Sequence, residues 1–215
     1  MKTSIILILI FFLSEKLIPQ IDLRVGMGLD FFTSPSLVDY INQSGFYGSE
    51  ELSKFSSAVN FSSEVGFIKI GNYQISTELA YQLYSYNSNV QLGRYDIEFT
   101  NILPSVLIYY LIEGKGYNFK FGGGGGLRIV AVEETLPASV SSDKFSNLGF
   151  GFLLRTQGNT LLSDKLFANI SIDLRYDFNG VPKSNNRKLY NNLLREQVNI
   201  NQLSFGIKLG FCYKF

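Results

Sequence analysis

Residues 203–215 read LSFGIKLGFCYKF, and every odd position in this stretch is aliphatic or aromatic. The even positions are Ser, Gly, Lys or Cys. Side chains of a β-strand point alternately to the two faces of its sheet, so the pattern predicts a strand with one apolar face and one small or polar face. The same alternation is found in residues 21–31, where the odd positions from Ile21 to Phe31 are apolar.

Six further segments show this period of two, which gives eight predicted strands. The six segments lie at about 57–69, 73–86, 94–111, 117–131, 147–157 and 165–178. Within 94–111 the apolar residues move from odd to even positions, which predicts a β-bulge near Thr100 and Asn101. Ser34 followed by Pro35 predicts one short helix at about 34–41, inside the first loop.

The connections between the predicted strands tend to alternate in length. Tight hairpins are predicted at 70–72 and 112–116, and a short connection at 158–164. Longer loops are predicted at 33–56, 132–146 and 179–197, with a connection of intermediate length at 87–93. Short turns at one end and long loops at the other are typical of outer-membrane barrels.

The first 20 residues have the features of a secretory signal peptide. Lys2 precedes an unbroken apolar run from Ile5 to Leu13. This run has the length of a signal-peptide core and is too short to span a bilayer. We therefore predict a signal peptide at 1–20, whose cleavage point is poorly marked, and one barrel domain at 21–215. The alternative for the apolar run is a buried first strand.

Composition narrows the possible functions. The 215 residues include 19 Lys plus Arg, 18 Asp plus Glu, no His and one Cys, Cys212. The scattered cations and the net charge of +1 argue against a nucleic-acid partner. Without His the chain lacks the most common general base and the ligand of most zinc sites. We therefore expect no enzyme activity, no cofactor and no metal.

Eight alternating strands fit two kinds of closed barrel. A soluble, lipocalin-like carrier turns its apolar face inward around a ligand, whereas a membrane barrel turns it toward lipid. Aromatic residues near strand ends favour the membrane barrel, because they resemble its interfacial girdles. These aromatic residues are Tyr73, Tyr95, Tyr110, Tyr117, Tyr176, Phe178, Tyr213 and Phe215. We expect an all-β fold: an eight-stranded antiparallel up-and-down transmembrane β-barrel with short periplasmic turns and longer extracellular loops.

The final strand also carries a family resemblance. Phe211, Tyr213 and the terminal Phe215 resemble the C-terminal signal by which the assembly machinery recognises outer-membrane barrels. The chain from Ile21 onward resembles the small eight-stranded barrels of the OmpA-transmembrane, OmpX and OmpW type, and more loosely the PorT-like barrels. This resemblance implies a location in the bacterial outer membrane, with membrane lipids and the barrel assembly machinery as partners. The oligomeric state stays open.

Charged residues on the polar faces of the strands predict a network inside the barrel. Asp96 and Glu98 are expected to pair with Arg128, since charges removed from water need partners. The alternative for these two acids is a catalytic pair of carboxylates. The whole predicted lumen network consists of Asp96, Glu98, Arg128, Asp173, Arg175, Asp177 and Lys208.

The run Gly122–Gly126 lies inside a predicted strand and lacks the Lys and Ser or Thr of a phosphate-binding loop. It therefore predicts a sharp bend and space for bulky lumen side chains. An eight-stranded barrel is only just wide enough for side chains. We predict a non-enzymatic barrel with a filled lumen that acts through its extracellular loops or in membrane integrity. The alternatives are binding or lateral passage of a small apolar molecule near the glycines, and the soluble carrier.

Overall fold

The computed structural model of the chain is a closed barrel of antiparallel strands. It describes residues 21–44, 51–91, 93–184 and 187–215, and the predicted signal peptide lies outside them. The eight barrel strands are β1 (Asp22–Thr33), β2 (Ser56–Ile70), β3 (Tyr73–Val90), β4 (Gly93–Gly114), β5 (Tyr117–Thr135), β6 (Asp143–Ser163), β7 (Leu166–Phe178) and β8 (Gln202–Lys214). Neighbours in the chain pair with each other, and β8 pairs with β1 to close the barrel. The predicted fold class and strand number are confirmed.

The register of the strands sets their tilt. Starting from Tyr176 on β7, each residue can be followed to its pairing partner on the next strand, once around the barrel. The partners are, in order, Phe152, Gly125, Val106, Thr77, Val65, Leu23, Tyr213 and finally Leu166 on β7. Leu166 precedes Tyr176 by ten residues on β7, which is the shear of the barrel. Eight strands with this shear are tilted by about 40° from the barrel axis.

The two ends of the barrel differ in the length of the connections between strands. Two-residue turns join strands at one end, which we call the turn end, at 71–72, 115–116 and 164–165. The opposite, loop end has long connections after β1 and β7 and a shorter one after β5. The predicted intermediate connection at 87–93 is wrong, because β3 continues to Val90 and β4 begins at Gly93.

The loop end contains the predicted short helix and two small hairpins. Helix α1 (Pro35–Gln43) begins where the Ser34 carbonyl accepts hydrogen bonds from the N–H groups of Leu37 and Val38. The hairpins lie between β7 and β8, and their two-residue strands are Lys183–Ser184 with Arg187–Lys188, and Tyr190–Asn191 with Glu196–Gln197. Over the four described ranges, no helix is both long enough and apolar enough to cross a membrane.

The predicted bulge near Thr100 and Asn101 is wrong. β4 pairs with β3 without a register shift from Gly93 to Tyr110. Register shifts are found instead between Gly66 and Ile68 on β2 and near the turn end of β6. The apolar residues of β4 change face because the medium outside the barrel changes along the strand.

The outer face carries a broad band of mostly apolar side chains, which we call the apolar belt. All outward positions of β1 from Leu23 to Phe31, of β7, and of β8 from Leu203 onward are apolar. On β3, β4, β5 and β6 the belt stops toward the loop end at Leu83, Ile102, Ile129 and Leu148. The outward residues beyond these are polar, apart from Ala131 on β5. Tyr95, predicted as a girdle residue, is instead buried in the interior. An exposed apolar band of this extent requires lipid around it, which excludes the soluble carrier.

Candidate functional site

The interior of the barrel at belt height is filled by charged and polar side chains. The buried acids there are Asp22, Asp30, Glu64, Glu78, Asp173 and Asp177, and the buried bases are Arg24, Lys120, Arg128, Arg155, Arg175 and Lys208. The two sets are equal in number, so their charges balance. Within the described part of the chain, no group of three or more His, Cys, Asp or Glu side chains is arranged to hold a metal ion.

Arg155 on β6 lies at the centre of this network. Its Nε and Nη2 atoms donate to the two carboxylate oxygens of Asp173 at 2.6 and 2.7 Å. Its Nη1 lies 3.0 Å from Glu64 Oε2 and also contacts Glu78. Arg24 contacts the same two glutamates, at 3.3 and 2.9 Å. Since Glu64 and Glu78 are directly opposite each other on β2 and β3, the arginines offset the repulsion between them.

Lysine pairs extend the network on either side. Lys208 Nζ lies 2.8 Å from Asp173 Oδ2. Closer to the turn end, Lys120 Nζ lies 2.7 Å from Asp22 Oδ2, which also accepts a hydrogen bond from Gln74 at 3.0 Å. Successive layers of ion pairs therefore cross the lumen.

Arg128 on β5 supports both the lumen and the wall. It pairs with Asp177 of β7, and its Nη1 donates to Ser105 Oγ at 3.1 Å and to the Leu127 carbonyl at 2.8 Å. The β4–β5 ladder lacks the two residue pairs that need an N–H from Pro104, because proline has none. The Arg128 side chain thus satisfies a wall carbonyl that has lost its strand partner.

Arg175 is held less tightly than the other lumen arginines. Its Nη atoms lie 3.7 Å from Asp173 Oδ2, 3.8 Å from Glu78 Oε1 and 3.9 Å from Asp30 Oδ2. These distances exceed those of hydrogen bonds. Asp30 belongs to the next layer, where Gln82 donates to its Oδ2 at 3.0 Å. Arg175 therefore connects two layers through electrostatic attraction alone.

The structure corrects two of the predicted lumen residues. Asp96 and Glu98 lie on the outer face of β4 beyond the belt, where Asp96 pairs with Arg94 at 2.8 Å and Glu98 is exposed. The prediction that they pair with Arg128 is wrong, because β4 keeps its register while lipid gives way to water outside it. The structure places the other predicted lumen residues, Arg128, Asp173, Arg175, Asp177 and Lys208, inside the barrel.

Sequence reasoning missed seven of the twelve network residues. The missed residues are Asp22, Arg24, Asp30, Glu64, Glu78, Lys120 and Arg155. The signal was present, since each of them occupies a polar-face position of its strand at belt height. Residues of the predicted assembly signal, Phe211, Tyr213 and Phe215, are exposed on the outer face, and their role stays a prediction.

Glycines make room for the network and leave the wall intact. A Cβ atom at Gly151 would overlap Arg128 and Asp177, and one at Gly206 would overlap Asp30. The run Gly122–Gly126 pairs with β4 on one side and β6 on the other at every residue. The glycines therefore create no gap in the sheet.

Beyond the belt the polarity of the strands reverses. We call this region the cap; it comprises the loop-end parts of β1 and β3–β6, helix α1 and the connection between β7 and β8. Its core consists of apolar side chains that point inward, among them Phe32, Leu37, Ile41, Tyr84, Tyr95, Ile97, Phe99, Val130, Val132, Phe145, Leu189, Val198 and Ile200. This core covers the loop end of the lumen.

Glu134 is a buried acid within the cap. It lies on β5 beyond Ile129, outside the membrane-spanning part of the strand. The hydroxyl groups of Tyr40 on α1 and Tyr95 on β4 donate to its Oε1 at 2.8 and 2.9 Å. Burial raises the pKa of Glu134, although these hydrogen bonds act in the opposite direction. Burial and the nearby carboxylate also raise the pKa of both tyrosines, so they remain donors that fasten α1 to the wall.

Solved structures that match this fold include an outer-membrane protein. Neisserial surface protein A matches with a TM-score of 0.52 and 13% identity, over 91% of this chain and 97% of that one. The chain has the fold of the small outer-membrane β-barrels. Ail of Yersinia pestis matches with a TM-score of 0.51 and 10% identity, over 92% and 99% of the two chains. A major outer membrane protein of Thermus thermophilus gives 0.50 and 12%, over 89% and 99%.

No protein-family model matches the sequence, and no curated protein is significantly similar to it. The apolar belt agrees with the outer-membrane fold. Together they place the protein in the bacterial outer membrane, with the turn end in the periplasm and the loop end outside the cell.

Proposed function

We propose that the protein is a closed, non-enzymatic outer-membrane barrel whose functional part is the extracellular cap. The observation that carries this proposal is the filled interior. Ion-pair layers around Arg155 and Arg128 occupy the lumen, and an apolar core lies above them. A diffusion pore needs a continuous path for water, and a lumen crowded in this way favours none.

The cap has the build of a fixed binding surface. The Asn199 N–H donates to Ser36 Oγ at 3.0 Å, and Asn191 Nδ2 lies 3.4 Å from Gln43 Oε1. These contacts tie the β7–β8 connection to α1, which Tyr40 in turn ties to Glu134. A surface that is ordered before it meets its partner loses less entropy on binding. This favours recognition at the cap over a role in membrane integrity alone.

Planar-bilayer recordings of the purified protein test the proposal. We expect no steady open-state current, and a porin of known conductance incorporated in the same way serves as the control. A large and steady current from the protein would contradict the closed barrel and would move the function into the lumen.

Binding or lateral passage of a small apolar molecule is the second candidate function from the sequence. It requires a weak place in the wall near the glycines of β5. Since Gly122–Gly126 are paired on both sides, the structure gives this candidate no support.

A further inference from the structure

The connection between β7 and β8 carries a cluster of positive charge at the edge of the cap. Its described residues include Lys183, Arg187, Lys188 and Arg195, against the single acid Glu196. Arg187 is already neutralised. Its Nη2 lies 2.6 Å from Asp143 Oδ1, and its guanidinium group lies over the Phe145 ring at 5.7 Å.

The anchored Arg187 leaves two lysines on the opposite, outward side of the first small hairpin. Lys183 and Lys188 are directly opposite each other in its register, and Lys183 is also opposite Ser146 of β6. Both side chains are exposed. Like charges placed directly opposite each other destabilise a strand pair. The hairpin therefore places two lysines side by side, and a bound anion would remove the repulsion between them.

Neighbouring acids do not neutralise these lysines. Within the described ranges Lys183 takes part in no ion pair, and Lys188 Nζ donates to the neutral Gln197 Oε1 at 3.0 Å. Asp143 is engaged by Arg187, as described above. Glu133 of β5 points outward, as the two lysines do, but it already pairs with Lys144 of β6. The Lys144 Nζ lies 3.1 Å from Glu133 Oε2.

The lysines lie immediately beyond the apolar belt. The hairpin continues the barrel wall from Ser146, and Leu148 and Phe150 are the next outward residues of β6 toward the membrane. Phe150 stacks on Phe178, the last residue of β7, with ring centroids 4.8 Å apart. Aromatic residues at the edge of a membrane barrel mark the level of the lipid headgroups. The ammonium groups are thus placed at the level where headgroup phosphates lie.

We propose that Lys183 and Lys188 together bind a phosphate group of an outer-leaflet glycolipid whose acyl chains extend along the apolar belt from Phe150 toward the membrane centre. A phosphate that carries up to two negative charges neutralises both ammonium groups, and the belt next to them accommodates the acyl chains. This inference goes beyond the proposed function and does not depend on a closed lumen.

Lipid binding to matched variants tests the inference. Purified barrel in a neutral detergent is titrated with diphosphorylated lipid A, and bound lipid is counted by native mass spectrometry. The test variant is Lys183→Gln with Lys188→Gln. The control is Lys115→Gln with Lys165→Gln, which removes the same charge from exposed positions in the periplasmic turns. We expect the test variant to bind lipid A about tenfold or more weakly than the wild type, and the control to be unchanged.

Further measurements identify the source of the phosphate and the state of the protein. Dephosphorylated lipid A should bind the wild type and the test variant equally weakly. A last titration uses soluble inorganic triphosphate in place of the lipid. Equal binding of diphosphorylated lipid A by wild type and test variant would overturn the proposal, also where the variant has lost binding of the soluble triphosphate. Unheated gel mobility shows that each variant is folded, and bilayer recordings show independently whether the lumen is closed.

Discussion

Two regions of the same strands bury opposite kinds of side chain. At belt height the inward residues of β5 include Lys120 and Arg128, and the outward residue next to Arg128 is Ile129. In the cap the inward residue of the same strand is Val132 and the outward residue is Glu133. The strand keeps one register with β6 across this change. Which face carries the apolar residues therefore depends on whether lipid or water lies outside the barrel, and not on a change in strand pairing.

The two regions also differ in what stabilises their interiors. The belt region depends on ion pairs and hydrogen bonds between buried side chains, where an unpaired charge is strongly unfavourable. The cap depends on buried apolar surface, as the core of a soluble protein does. Substitutions should therefore have effects that depend on the region as much as on the chemistry of the change.

The largest effect is expected at Arg155. Replacing it with Met removes the cation shared by Glu64, Glu78 and Asp173, and the loss of one partner of a buried pair commonly costs about 3–5 kcal/mol. Arg175→Met is the matched control within the same layer, and its effect should be smaller because its carboxylate contacts are 3.7 Å or longer. Urea unfolding in detergent micelles measures both. Equal losses would contradict the central role of Arg155.

Arg128 should show a smaller loss that a second substitution restores in part. Arg128→Met leaves the Asp177 carboxylate buried without its cation, and we expect a loss approaching about 3 kcal/mol. Adding Asp177→Asn removes the uncompensated charge and should recover part of the loss in the same unfolding experiment. The pair Asp96→Asn with Glu98→Gln should recover nothing, since these acids lie outside the barrel. Recovery of stability by that pair of substitutions would mean that Asp96 and Glu98 do interact with Arg128.

Arginine on the outer face should separate the belt from the cap. At Ile172 or Leu209, both in the belt, Arg is expected to cost about 2–4 kcal/mol near the bilayer midplane. At Glu98, which is outward but in the cap, Arg should change stability by roughly 0.5 kcal/mol or less, as at other exposed sites. Unfolding of the barrels from lipid vesicles tests this contrast. A tolerated Arg at Ile172 and Leu209 would mean that these side chains do not face lipid.

Glu134 should make the stability of the cap depend on pH. Its pKa is raised above the ordinary value of 4.5, so the folded chain binds the proton more tightly and stability falls as pH rises through the interval between the two values. Glu134→Gln keeps an acceptor for Tyr40 and Tyr95 but does not titrate. The stability of the variant relative to the wild type should therefore rise with pH across that interval, by roughly 1 kcal/mol or less. A difference that is constant with pH would contradict the role of Glu134.

The smallest effect on stability is expected at Phe215. This residue is exposed at the periplasmic rim, where its ring packs on Tyr213 at 5.0 Å. If it is the assembly signal, Phe215→Asp should lower the amount of folded barrel in the outer membrane while purified protein keeps its stability. Heat-modifiable gel mobility of membrane fractions measures the amount, and Val140→Asp at the exposed loop end is the control. Normal levels of folded Phe215→Asp protein would remove the assembly role.

The sequence by itself determined the eight strands, the short helix and the face that meets lipid. These follow from local spacing, since each outward residue such as Ile172 or Leu209 is identified by its two nearest neighbours in the chain. Five of the seven predicted network residues are inside for the same reason. Alternation of this kind needs no knowledge of distant segments.

Only the tertiary structure decided which charges meet and where the polarity reverses. Arg128 and Asp177 are 49 positions apart in the chain, and their contact depends on the shear of the closed barrel, which no single strand encodes. The reversal at Asp96 and Glu98 depends on how far β4 extends beyond the lipid. Apolar and polar residues alternate along a strand in the same way whether lipid or water lies outside the barrel. Whether Asp96 and Glu98 point inward or outward therefore follows only from the position of the membrane along the barrel axis.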